Sequence, residues 1–206
     1  MARTTRLAGA LLLVASLFGS AAAGAQVNVA ARANNPSAQG VASDGGCFGG
    51  QLNGPLDGNA SGSYNGATYW HSCAAQGAWW YVDLAQVWDV SSIVYHNRTD
   101  CCTYRSQNAL FQLWVNTPDF VNGGAAYTAV LDASATQTFL VPNVAARYAS
   151  VAAGTCGAGD CYLQFPEVEV NAVPVSATPE PASLTLLATG LVGIVAVARR
   201  KRAKPI

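Results

Sequence analysis

The sequence predicts an all-β domain, an antiparallel sandwich or barrel, set between a signal peptide and a C-terminal membrane helix. Two observations predict the β domain. Between Val27 and Val173 the apolar residues show no helical periodicity. In its place stand short runs rich in β-branched and aromatic residues, separated by Gly, Asn, Asp and Ser turns. A third observation, an apolar run near each end of the chain, supplies the flanks.

Taken in order, Arg3 and Arg6 precede the apolar run Leu7 to Phe18, and small residues Ala23-Gly24-Ala25 follow. That succession is a secretory signal peptide over residues 1–25, cleaved after Ala25. An uncleaved anchor is the competing reading, and the run is short for a span. Residues 26–173 form the domain, with enough chain for a core of its own. Its strand runs begin with Trp79 to Leu84, alternating around Val82, and Ser92 to Arg98, which sets Ile93 and Tyr95 against Val94 and His96. Phe111–Val115, Tyr127–Leu131, Thr138–Val141, Tyr148–Ala152 and Glu167–Val170 continue the pattern. Trp79, Trp80 and Trp114 fall in strands and are expected in the core, although with Trp70 and Trp88 they could build a sugar platform. Three loops carry unusual chemistry: Asn53–His71, Asn97–Arg105 and Gly154–Pro166. Residues 174–181, with Pro174 and Pro179, read as a linker. The 17 apolar residues Ala182 to Ala198 would make a helix of roughly 25 Å, just enough for a bilayer core. The basic tail 199–206 would stay cytoplasmic and leave the domain outside that membrane.

The 11 basic and 11 acidic side chains cancel over the chain but not along it. Seven basic residues lie in the two ends. Between Val27 and Val175 stand ten acids against four arginines, Arg32, Arg98, Arg105 and Arg147, and no lysine. Such a domain is no nucleic-acid binder. Export to an oxidising compartment makes its six cysteines disulfide candidates, with 15 possible pairings. Cys156 and Cys161 flank Gly157-Ala158-Gly159-Asp160 and could close a small loop, while Cys47 and Cys73 would then pair by default.

Cys101 and Cys102 are adjacent and sit inside Asn97-Arg98-Thr99-Asp100-Cys101-Cys102-Thr103-Tyr104-Arg105, which holds two of the four arginines. Asp100 can fix one guanidinium by a bidentate pair. A vicinal disulfide at Cys101-Cys102 would make the loop stiff and present a flat sulfur surface between the arginines. Donor forks beside an apolar plate suit a sugar, with hydroxyls on its edge and C–H groups on its face. The competing readings are a merely structural Arg–Asp network, and Cys101 and Cys102 pairing elsewhere or binding a soft metal.

His71, 27 residues before Arg98, followed by Arg98-x-Asp100 and Arg105, resembles the fucose-binding signature of the F-type lectins. Asn28-Val29-Ala30 is similar to that family's first strand, Asp57-Gly58-Asn59 to its metal loop, Trp79-Trp80-Tyr81-Val82-Asp83-Leu84 to a central strand, and Pro166-Glu167-Val168-Glu169-Val170 to its closing strand. The resemblance implies a discoidin-like, galactose-binding-type jelly-roll sandwich. It implies that His71, Arg98 and Arg105 hydrogen-bond fucose, that Cys101-Cys102 is a vicinal disulfide packing on the sugar face, that Tyr64 lines the methyl pocket, and that Asp100 supports. It further implies one structural Ca²⁺ held by the carbonyls of Gly54, Asn59 and Pro166 and the side chains of Asp57, Thr68 and Glu167, oxygen ligands of the kind Ca²⁺ takes. An Asx-turn without metal is the competing reading of that loop. Tyr69 and Pro166 stand where a family example has a pair of cysteines, and the two are missing together. Pro179-Glu180-Pro181, the apolar run and the basic tail resemble a PEP-CTERM sorting signal of Gram-negative bacteria, whose processing partner is an exosortase-type enzyme.

The expectation is therefore an exported lectin for terminal L-fucose or a related 6-deoxy sugar, tethered at the inner membrane before processing and then sorted to the cell surface or matrix. Its expected partners are fucosylated glycans or extracellular polysaccharide and, through its helix, the membrane. A structural matrix protein without a discrete sugar site is the alternative. No enzyme is expected: only Asp100 is placed for a glycosidase that would need two carboxylates, and no nucleophile elbow or zinc motif occurs.

Overall fold

Alternation of side chains along a strand decides which residues face the core, and a register slip of one residue would invert the set. The computed structural model describes residues 25–154 and 162–175, and among them nine strands form. They are β1 (Val27–Asn28), β2 (Gln39–Ala42), β3 (Trp70–His71), β4 (Trp79–His96), β5 (Leu110–Trp114), β6 (Tyr127–Val130), β7 (Thr136–Ala152), β8 (Gln164–Phe165) and β9 (Glu167–Pro174). The signal peptide up to residue 24, the Cys156–Cys161 pair, the linker beyond residue 175, the membrane helix at 182–198 and the tail at 199–206 lie outside the described residues. Among the described residues no helix is long and apolar enough to cross a membrane.

All pairings are antiparallel, and two long strands give the molecule its layers. The first half of β4 pairs with β2 and with the second half of β7, which continues to β5 and β6. The second half of β4 pairs with the first half of β7 and with β9, which continues to β1. The two layers share one core: Trp80, Val82, Leu84, Phe111, Leu113 and Val151 meet Ile93, Tyr95, Val168, Val170 and Ala172. Two pairs of runs that read as separate strands are thus continuous. Trp79–Leu84 joins Ser92–Arg98 as β4, and Thr138–Val141 joins Tyr148–Ala152 as β7. The corner is an irregularity between Asp83 and Trp88, where Ala85 adopts φ 67° and its N–H donates to Asp83 Oδ1 at 2.8 Å. A bulge turns a strand from one layer into the next without ending its ladder.

Further details depart from expectation. β4 ends at His96 rather than Arg98, because the buried Asn97 side chain turns to hold the following loop. The first strand pairs only at Val27–Asn28, since Asn28 Oδ1 accepts from the N–H groups of Ala30 and Val170 and ends the ladder. Trp79 is not a core residue. With Trp80, Val82 and Leu84 inside, parity puts it on the outer face, stacked on Tyr81 and Phe120 at 5.8 and 5.0 Å. Trp114 is buried but lies outside the central cluster, against Phe120 and donating to Ser150 Oγ at 2.8 Å. Trp70, by contrast, is wholly buried against Phe165.

Candidate functional site

At one end of the sandwich the short ladder of β3 and β8 pairs His71 with Gln164 and Trp70 with Phe165. Trp70 and Phe165 enter the core, and beside them His71 and Gln164 are themselves buried. His71 Nδ1 lies 2.8 Å from the Ser72 carbonyl, which can only accept, so this nitrogen carries a proton. A disulfide joins Cys47 to Cys73, and the Cys47 N–H donates to the His71 carbonyl at 2.8 Å. Together these fold the next residue, Phe48, over the His71 ring at 4.8 Å.

The loop after β4 supplies the cations. Its anchor is Asn97, whose amide donates to the Thr103 carbonyl and to Ser106 Oγ at 3.0 and 2.8 Å. Ser106 Oγ in turn donates to the Asp132 carbonyl. This fixes a one-turn 3₁₀ segment, Thr103–Ser106, entered through Cys102 at φ 59° and carrying Arg105. Cys101 and Cys102 form a vicinal disulfide. Asp100 grips Arg98, with Nε to Oδ1 at 2.6 Å and Nη2 to Oδ2 at 3.4 Å. That guanidinium beside Asp100, chiefly by hydrogen bonding, holds its carboxyl below the usual carboxylate range. Asp100 also accepts from the Tyr64 N–H at 3.2 Å, so one carboxylate ties the cation to the aromatic wall. The Tyr64 ring lies 4.6 Å from the Arg98 guanidinium carbon, and its hydroxyl donates to the Phe48 carbonyl at 2.5 Å.

These residues enclose a single cavity of about 410 Å³ lined by Phe48, Tyr64, His71, Arg98, Cys101, Cys102, Arg105 and Tyr162. The structure therefore brings together all six residues expected to touch a sugar, with Asp100 behind them. Three residues of the site were not anticipated. Phe48 stands at the rim, 71 % exposed; Tyr162 lies 5.5 Å from the His71 ring and 5.2 Å from the Arg105 guanidinium. Gln164 lies beneath, its Oε1 accepting from Nη1 of Arg98 at 3.0 Å and of Arg105 at 3.3 Å. Each had only a weak signal: Phe48 and Tyr162 adjoin cysteines, and a two-residue strand is too short for alternation to reveal Gln164.

Of the five N–H donors of Arg98, Asp100 takes two and Gln164 one, leaving one on each terminal nitrogen. Two donors from one planar fork suit two neighbouring oxygens of a ring. The aromatic rings and the disulfide supply apolar surface beside them. Among the described residues, the carboxylate beside the cavity, that of Asp100, is committed to Arg98.

The residues expected to hold metal fall in the Gly54–Asn59 loop, at Thr68 and at the start of β9, where Glu167 meets the Gly58 N–H. Gly54 opens a 3₁₀ turn and packs so closely that a Cβ would stand 2.7 Å from the Tyr69 nitrogen and 2.9 Å from the Thr68 carbonyl carbon. Its carbonyl accepts from the Asp57 N–H at 3.2 Å. Asp57 Oδ1 accepts from the Asn59 N–H at 2.7 Å, which is the Asx-turn of the competing reading. Thr68 Oγ donates weakly to Asn65 at 3.4 Å. Glu167, directly after Pro166, is 1 % exposed and accepts from the Gly58 N–H at 3.1 Å through Oε2, while its Oε1 is buried without a partner. Burial, with the nearby charges of Asp57 and Glu169, pushes its carboxyl up to about 9. A buried, half-satisfied carboxylate near a second one fits a hard divalent cation. Among the described residues no three His, Cys, Asp or Glu gather as a metal group, so carbonyls and Thr68 would complete such a set.

The comparisons with known proteins bear on the fold and on what the chain is similar to. Residues 56–151 match a family model described as NedA-like, galactose-binding domain, and residues 177–202 match the PEP-CTERM protein-sorting motif. Fucolectin-5 of Anguilla japonica is 31 % identical over 126 residues, covering 57 % of this chain and 62 % of that protein. Fucolectin-4 of the same eel is 32 % identical over 126 residues, covering 57 % and 65 %. The chain thus spans less than two thirds of the length of these relatives. Among solved structures, a fucose binding module of Streptococcus pneumoniae superposes with a TM-score of 0.58 at 26 % identity, over 70 % of this chain and 94 % of that one. Fold and site define a discoidin-like β-sandwich of the galactose-binding type. More narrowly, the chain is similar to the fucolectins and, near its C-terminal end, matches the PEP-CTERM sorting motif. The proteins it matches are named as lectins and binding modules, not as enzymes.

Proposed function

We propose that this protein is a non-enzymatic lectin for terminal L-fucose or a related 6-deoxy sugar, exported and displayed at the cell envelope through its PEP-CTERM tail. The observation that carries the reading is the convergence of Tyr64, His71, Arg98, Cys101, Cys102 and Arg105 on one cavity. Arg98, Arg105 and His71 hydrogen-bond the ring oxygen and hydroxyls. The disulfide packs on the C–H face, and the rings of Tyr64 and Phe48 receive the 6-methyl group, which a hydroxymethyl sugar would replace with a polar group lacking a partner. Ca²⁺, when bound by Gly54, Asp57, Asn59, Thr68, Pro166 and Glu167, supplies charge that fixes the loop leading to Tyr64. The buried, unpartnered oxygen of Glu167 supports this part of the reading. A single shallow site binds weakly, so many copies on one surface supply avidity.

Titration calorimetry of the full chain with L-fucose tests the proposal. Heat with L-fucose, and far weaker binding of D-galactose and D-glucose, is the expected result. Folded protein that gives no heat with fucose or fucosylated oligosaccharides overturns it, and a uniformly faint glycan array would favour the matrix-protein alternative.

A further inference from the structure

We infer that Gln164 is a positioning residue that locks Arg98 and Arg105 into one sugar-binding unit; the inference rests on the function proposed above. Guanidinium groups have donors only, so the atom of the Gln164 amide that faces them is the oxygen. That oxygen accepts from both arginines, at 3.0 and 3.3 Å, and so brings two terminal nitrogens from residues seven apart to a common point. The backbone of Gln164 pairs with that of His71 in the β3–β8 ladder. One short strand pair thus sets the position of His71 directly and of both arginines through an amide. Gln164 is 1 % exposed and its neighbour Phe165 is wholly buried between Trp70, Trp80 and Tyr95. Its oxygen therefore stands on a rigid base, as a support for binding groups must.

The Gln164 nitrogen is buried without a hydrogen-bond partner, so the oxygen alone carries the contacts that matter here. A carboxylate at this position would keep every one of those contacts, whereas an isosteric alkyl chain would keep none.

The test compares L-fucose affinity of the full chain with that of Gln164→Leu and Gln164→Glu, alongside melting temperature. Gln164→Leu weakens fucose at least tenfold, and Gln164→Glu stays within about threefold of the parent, since it restores both acceptor contacts. Equal affinity of Gln164→Leu and the parent overturns the inference, and so do Leu and Glu variants weakened alike. Should Gln164→Leu fail to fold, the Glu variant alone decides: folded protein with more than tenfold loss refutes positioning by the oxygen. Absence of fucose binding in the parent would instead refute the proposed function, so the two failures are distinguishable.

Discussion

Arg98 is where most of the site's hydrogen bonding converges, because three of its donors orient it and two remain for a ligand. Hydrogen bonds to a charged group contribute roughly 1.5–3 kcal/mol each, so losing two costs about 100-fold or more in affinity. Arg98→Ala should therefore abolish measurable fucose binding in calorimetry, while the melting temperature stays nearly unchanged because the ion pair it removes is partly exposed. Asp100 carries a pH prediction. Its folded pKa lies below the ordinary 3.8, so its support is complete above that value and is lost as pH falls through the folded value. Fucose affinity should accordingly show an acid limb that lies below the ordinary 3.8, and Asp100→Asn should lose that limb. A limb unchanged in Asp100→Asn would assign it to another group. The arginines and the paired cysteines were legible in the sequence because a lysine-free, acidic domain makes each arginine conspicuous. Phe48 and Gln164 were not. One reaches the site through a disulfide and the other through a two-residue pairing, and neither long-range contact leaves a local pattern.

The loop from Asn97 to Ser106 holds its shape through one buried amide, since its 3₁₀ turn is too short to be stable by itself. Removing that amide leaves the Thr103 carbonyl and Ser106 hydroxyl each short of a donor inside the protein. Asn97→Ala should destabilise the fold by about 2 kcal/mol, a fall in melting temperature of roughly 4–8 °C. It should also weaken fucose, because Arg98 and Arg105 lie at opposite ends of the segment it anchors. Calorimetric melting together with titration of the folded variant checks both, and a variant that melts like the parent would show the anchor to be dispensable. At this scale the strand runs were readable from alternation, yet their joining was not. Nothing local distinguishes a loop between two strands from the corner at Ala85, where the ladder turns from one layer to the other and resumes. The outward Trp79 follows from the same blindness: composition says that tryptophan is buried, and only the register, set by Trp80, Val82 and Leu84, says which face it takes.

Across the whole molecule, two parts of the candidate cation set, Asp57 with Asn59 and Pro166 with Glu167, lie more than 100 positions apart and are joined where the Gly58 N–H donates to Glu167 Oε2 at 3.1 Å. Closing that separation places a buried carboxylate beside Asp57 on a domain that is already acidic. Without a counter-ion, burial beside Asp57 pushes the Glu167 carboxyl up to about 9 and leaves its Oε1 unsatisfied. A bound divalent cation would make the same closure favourable and would stabilise the folded state by mass action, about 2.7 kcal/mol at 100 times its dissociation constant. Addition of excess Ca²⁺ to chelator-treated protein should therefore raise the melting temperature by roughly 5–10 °C. Glu167→Gln, which removes a carboxylate ligand from the candidate set, should melt at the same temperature with and without Ca²⁺. The effect should reach the sugar pocket as well, because the loop running on from Asp57 carries Tyr64 and docks on the arginine loop through the Thr99 N–H and the Gly62 carbonyl at 2.8 Å. Chelation should then lower fucose affinity at a temperature where the protein is still fully folded. Identical melting curves for the parent in Ca²⁺ and in chelator would remove the metal from this account, and the Asx-turn at Asp57–Asn59 would then be the whole explanation of that loop.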